Sequence, residues 1–166
     1  MHSQGQGTLD SRCGETSADP VPGMALETTA SAVARPLRRD FRGEPSQVPL
    51  VRDFVRRYLV GWPCSTDAVQ DILLCVTELA TNAVRHSRSG LPGGYFGVKI
   101  AICDEKCVGV AVEDAGGSWD NAPHEGLEGG RGLQIVSALS TDMGVTGSGT
   151  GRTVWFHSLR NPDTGD

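Results

Sequence analysis

The chain has 166 residues, a formal net charge of −5 and 38% hydrophobic residues, which leaves room for one domain-sized core and excludes several independent domains. No apolar run approaches the roughly 18 residues of a membrane-spanning helix, and the acidic balance disfavours nucleic acid or an anionic membrane as main partner. Five cysteines, an odd and scattered set, do not make a disulfide framework, and the N-terminus lacks the basic start and apolar stretch of a signal peptide; a cytoplasmic protein with reduced thiols is expected.

From Met1 to about Arg35 the chain is rich in Gly, Ser, Thr, Ala and Pro with no sustained period. It buries too little surface to offset its ordering entropy, so residues 1–35 are expected to be a disordered leader, 36–160 the folded domain and 161–166 a short tail. A first strand is expected at Leu37 to Arg42. Val48, Val51, Phe54, Val55, Tyr58 and Leu59 then recur at three- and four-residue spacing, which predicts an amphipathic helix ending before Pro63. Seven of the fifteen basic residues lie between Arg35 and Arg57, a solvated face in the simplest reading and a surface for an acidic partner in the other.

A second helix is predicted from Thr66, as N-cap, to about His86, with a stripe of Val69, Ile72, Leu73, Val76, Leu79, Ala80 and Ala83. Tyr95 to Cys103 and Cys107 to Asp114 read as a hairpin. A glycine-rich loop over 115–129, a short helix from about Arg131 to Leu139, and strands near Met143 to Thr146 and Thr153 to Leu159 follow, with a tight turn at Gly147 to Gly151. Helices mixed with antiparallel strands predict an α+β two-layer sandwich.

Three segments carry candidate chemistry. Glu78, Asn82 and His86 are spaced by four, so they share one helix face away from the apolar stripe; a carboxylate and an amide so placed suit a metal-nucleotide site, although the same pattern is commonly a solvated helix surface. Asp114 ends a strand and is followed by Gly116, so it is placed either to accept a hydrogen bond from a base amine or to make an ordinary turn. Gly130, Arg131, Gly132 and Leu133 stand at a helix start, where free N–H groups and the positive helix end favour phosphate. The dinucleotide fingerprint and the Walker lysine are both absent.

Glu78-Leu79-Ala80-Thr81-Asn82-Ala83-Val84-Arg85-His86, then Asp114-Ala115-Gly116, then Gly130-Arg131-Gly132-Leu133, in this order and spacing, resemble the N, G1 and G2 boxes of the GHKL (histidine kinase/Hsp90-like) ATPases. The single-domain size and the Gly-Arg-Thr-Val-Trp-Phe close resemble the anti-sigma factor serine kinases of the RsbW and SpoIIAB type, over about Leu37 to Leu159. The resemblance implies a Bergerat fold with a mixed, mostly antiparallel sheet, and ATP with Mg²⁺ as cofactors. It implies that Glu78 activates the nucleophile and that Asn82 binds Mg²⁺. Asp114 would hold the adenine amine, Gly116 would lie beside the ring and Thr153 would help at that end. His86, Gly130, Arg131, Gly132 and Leu133 would line the phosphates. An antagonist (anti-anti-sigma) protein bearing the acceptor serine, a sigma factor and a homodimer are the implied partners. The alternative is a non-catalytic ATP-dependent binding module. The segment between the glycine boxes is short and carries Glu125 and Glu128, which implies a small lid and slow or partner-dependent turnover. Cys103 and Cys107 flank the hairpin turn, where an adventitious disulfide is a better expectation than zinc. Trp62, Trp119 and Trp155 are expected in core or rim packing.

Overall fold

The computed structural model of the chain describes residues 35–104, 107–117 and 131–159. Among these residues five strands, β1 (Leu37–Arg42), β2 (Tyr95–Asp104), β3 (Cys107–Asp114), β4 (Asp142–Ser148) and β5 (Gly151–Leu159), form one sheet in the order β1-β2-β3-β5-β4. Every pair in it is antiparallel. Helices α1 (Val48–Leu59), α2 (Thr66–His86) and α3 (Gly132–Leu139) supply the second layer. The leader expected over 1–35 lies outside the described residues but for Arg35, as do Trp119, Glu125, Glu128 and the tail.

Period-two alternation decides which face of the sheet meets the helices. The cross-strand rows Ile100, Val110, Phe156 and Val98, Val112, Val154 are in register and all six are buried with the helix stripe residues Ile72, Leu73, Val76, Leu79, Ala80 and Ala83. Each such burial contributes about 1.5–3 kcal/mol for the larger side chains. The other face carries Gly109, Ala111 and Glu113 opposite His157, Trp155 and Thr153. There the indole of Trp155 lies over Gly144, whose Cβ would stand 2.5 Å from the ring, and Lys99 donates to Glu113 at 2.6 Å with Arg38 at 3.3 Å.

Helix α2 owes its length to strong ends. Ser65, not the expected Thr66, is the N-cap, and its hydroxyl accepts the Ala68 N–H. Asp67 in the first turn and Arg85 and His86 in the last complement the helix dipole. At the C-terminus the Ser87 hydroxyl donates to the Ala83 carbonyl at 2.7 Å and so satisfies an orphan acceptor. The chain then makes a 3-10 turn, Arg88–Gly90, packed so closely that a Cβ at Gly43 or Gly94 would meet the Ser89 carbonyl oxygen at 1.6 or 2.1 Å. Trp62 is core. Of the cysteines among the described residues, Cys75 is buried and Cys64, Cys103 and Cys107 are partly exposed.

Burial pushes the Cys75 thiol of α2 up to about 11, and Asp71 and Glu78 add repulsion against its thiolate. The folded chain therefore holds this proton more tightly than the unfolded one. The resulting stability is fully present below the unfolded value of 9.0 and is lost as pH rises toward about 11. Unfolding in urea between pH 9 and 11 is expected to show a fall of up to about 1.4 kcal/mol per pH unit that is missing from Cys75→Ala. Equal slopes in the two proteins would contradict this.

Candidate nucleotide site

Two clusters form along the rim where the helices meet the ends of β3 and β5. The first joins α2 to α3. Glu78 and Asn82 are half-buried on the same face of α2, and Gly132, the first residue of α3, backs onto both. A Cβ on Gly132 would stand 2.9 Å from Glu78 Oε2 and 3.4 Å from Asn82 Nδ2. The glycine thus lets the N-terminus of α3, with its unsatisfied N–H groups and partial positive charge, rest against a carboxylate and an amide. Arg131 is the exposed N-cap residue and its carbonyl accepts the Ile135 N–H. Leu133 packs against the core beneath. His86, the last residue of α2, is exposed, and the carbonyl of His86 approaches Gly117, whose Cβ would stand 3.8 Å from its oxygen. Gly130 lies outside the described residues.

The second cluster surrounds Asp114. Its side chain is only 3% exposed and its carboxylate is held by three donors. Oδ2 accepts from Arg152 Nε and Nη2, both at 3.0 Å, and Oδ1 accepts the Gly116 N–H at 2.7 Å. Asp114 and Arg152 are cross-strand partners in β3 and β5, two residues beyond Val112 and Val154, and therefore on the helix face.

That register corrects the expected role of Thr153. It pairs with Glu113, so its side chain shares the outer face with Trp155 and His157 and turns away from Asp114. Strand alternation is the reason, since a one-residue step along β5 exchanges faces. Arg152, rather than Thr153, is the β5 residue beside Asp114.

Gly116 is required by backbone packing as well. It has φ +65, and a Cβ would stand 2.5 Å from the Gly149 carbonyl oxygen in the turn between β4 and β5. The space its missing side chain leaves is filled by that turn rather than kept open for a ring. The turn itself is tighter than the expected five residues: Ser148 pairs with Gly151, leaving Gly149 and Thr150 as its centre.

Two further residues hold the cluster together and escaped the sequence reading. Arg88 donates from Nε and Nη2 to the Ala115 carbonyl at 3.1 and 2.9 Å and from Nη2 to the Gly149 carbonyl at 2.8 Å, while its backbone N–H reaches the Gly116 carbonyl at 2.7 Å. Ser89, fully buried, accepts the Ala115 N–H at 2.9 Å. The 3-10 turn after α2 thereby buckles the Asp114–Gly117 loop and the β4–β5 turn to the end of the helix that bears Glu78 and Asn82. Nothing in local periodicity marks Arg88, because its acceptors are backbone carbonyls 27 and 61 residues away.

A candidate metal position is limited to oxygen chemistry. The Asn82 amide oxygen and the Glu78 carboxylate lie side by side next to Gly132. Hard oxygen donors of this kind fit Mg²⁺, which takes one or two protein ligands and completes its shell with phosphate and water. Among the described residues no helix is long and apolar enough to cross a membrane.

The family model described as the histidine kinase-like ATPase domain matches residues 41–157. Among solved structures, the chain is similar to one of the RsbU and RsbW domains of a Mycobacterium tuberculosis protein, with 21% identity and a TM-score of 0.60 over 78% of this chain and 34% of that one. It therefore spans about a third of that neighbour's length. It is also similar to a SiaB–SiaC complex from Pseudomonas aeruginosa, with 17% identity and a TM-score of 0.52 over 74% of this chain and 89% of the other. At these identities the likeness is one of fold. No curated protein matches the chain.

Proposed function

The chain belongs to the histidine kinase-like ATPase domain family, and from that premise we propose that it is an ATP-dependent serine/threonine protein kinase of the anti-sigma type. It transfers the γ-phosphoryl of Mg-ATP to a serine of a small antagonist protein in the cytoplasm. The observation that carries this reading is the seating of Gly132 against Glu78 and Asn82, because it brings a carboxylate, an amide oxygen and a helix N-terminus to one point, where the terminal phosphates would lie.

In this reading the base end is Asp114, which accepts the adenine amine, and the phosphates run toward the N-terminus of α3, where Gly130, Gly132 and Leu133 offer backbone N–H groups and Arg131 and His86 stand at the rim. The Asn82 side-chain oxygen would hold Mg²⁺, whose chemistry is to neutralise charge on the phosphate oxygens. Glu78 orients the acceptor serine hydroxyl and takes its proton as the phosphoryl group leaves ATP. Support for a protein partner comes from the SiaB–SiaC neighbour, which is itself a two-protein complex; an antagonist protein, a sigma factor and a homodimer complete the proposal.

Thermal unfolding with and without Mg-ATP tests the nucleotide site. A ligand of the native state stabilises it by RT ln(1 + [L]/Kd), about 2.7 kcal/mol at a hundredfold excess over Kd. The expected result is a rise in Tm of several degrees that tracks ATP concentration. A Tm that does not move at millimolar Mg-ATP would count against the whole assignment.

A further inference from the structure

The carboxylate of Asp114 has little capacity left for a ligand. A carboxylate offers about four lone-pair positions, two on each oxygen. Arg152 Nε and Nη2 take both positions on Oδ2, and the Gly116 N–H takes one on Oδ1. One acceptor position remains, on Oδ1, and with the side chain 3% exposed water is a poor substitute for a protein or ligand partner there.

We infer that Arg152 is a specificity-determining residue: by saturating Oδ2 it restricts Asp114 to one ligand donor and so selects adenine over guanine. The inference rests on the ATP-site reading above and deepens it. Adenine presents one exocyclic amine on this edge, and a single acceptor satisfies it. Guanine presents two adjacent donors, the ring N1–H and the exocyclic amine, which need the two oxygens of a carboxylate side by side. With Oδ2 filled, one guanine donor is buried without a partner, the condition under which discrimination between related ligands becomes large. The guanidinium suits this task because two of its N–H groups point in parallel toward one oxygen. Gly116 and the β3–β5 register fix the carboxylate so that it cannot rotate to offer a different oxygen.

The test is titration calorimetry of the full chain with Mg-ATP and Mg-GTP, for the wild type and for Arg152→Lys. Lysine keeps the buried positive charge but brings a point ammonium that donates one bond to Oδ2, which frees a lone pair. The wild type is expected to bind ATP at least about 100-fold more tightly than GTP. In Arg152→Lys the ratio is expected to fall about tenfold or more, chiefly through tighter GTP binding. If the lysine variant does not fold, Arg152→Gln, which also leaves a lone pair on Oδ2, reads the same ratio. An unchanged ratio in a folded variant, or a wild type that binds GTP as well as ATP, overturns the inference and leaves the nucleotide site standing. Binding of neither nucleotide removes the site itself.

Discussion

Asp114→Asn is expected to lower folding stability by about 3–5 kcal/mol and at the same time to abolish stabilisation by Mg-ATP. The two losses have different causes. Asparagine is neutral, so the guanidinium of Arg152, 7% exposed, loses the carboxylate charge that faces it, and the single amide oxygen can serve Arg152 or the Gly116 N–H but not both. Breaking one half of a buried pair costs this much because the remaining charge is uncompensated. For a domain of this size the loss is roughly 10 °C or more in Tm. The ATP response disappears because an amide oxygen turned toward the guanidinium leaves a donating NH₂ where the base amine needs an acceptor.

A companion double variant, Asp114→Asn with Arg152→Met, separates the causes. Removing both charges is expected to restore much of the stability, since apolar replacements of buried pairs are often neutral, and, with no guanidinium to draw the amide oxygen away, to recover part of the ATP response. Melting curves of the two variants with and without Mg-ATP decide the matter. A single variant that melts within 2 °C of the wild type, or that still responds to ATP, contradicts the account; that threshold is roughly the effect of half a kilocalorie.

Much of this site is legible in the sequence because its parts lie on long, strongly periodic elements. The run from Thr66 to His86 has no Gly or Pro, its stripe faces the sheet, and the helix covers that span; only the cap moved, by one residue, to Ser65. Glu78 and Asn82 therefore come out on one face as the four-residue spacing requires. The strand ends were harder. Asp114 and Thr153 each stand near a glycine, and nothing local says which residue of β5 lies opposite the aspartate. Yet a signal was present: Arg152 alternates with Val154 and Phe156, both core residues, and that alternation alone puts Arg152 on the helix face and Thr153 on the other. The buckle formed by Arg88 and Ser89 is legible only in three dimensions, because side chains bonded to distant carbonyls leave no period and no motif. The acidic Glu113, part of the strand that leads to Asp114, proves to be a counter-charge for Lys99 on the outer face, so the two adjacent carboxylates serve opposite sides of one sheet.

Glu78→Gln is expected to reduce phosphoryl transfer to the antagonist protein by about 10²–10⁴-fold while leaving ATP binding within a few-fold of wild type. Glutamine keeps the shape of the side chain against Gly132, where an added Cβ would stand 2.9 Å from Glu78 Oε2, so the α2–α3 contact survives. What it removes is the ability to take a proton. Single-turnover transfer of the radiolabelled γ-phosphoryl, with ATP affinity measured in parallel, reads the two quantities separately. A loss confined to transfer supports the kinase, with Glu78 acting on the acceptor hydroxyl. Transfer at the wild-type rate would remove Glu78 from the chemistry. If the wild type itself transfers nothing yet binds its partner only with ATP present, the non-catalytic binding module is the correct reading. The α3 N-terminus resting on α2 would then report bound nucleotide to a protein surface rather than drive a reaction.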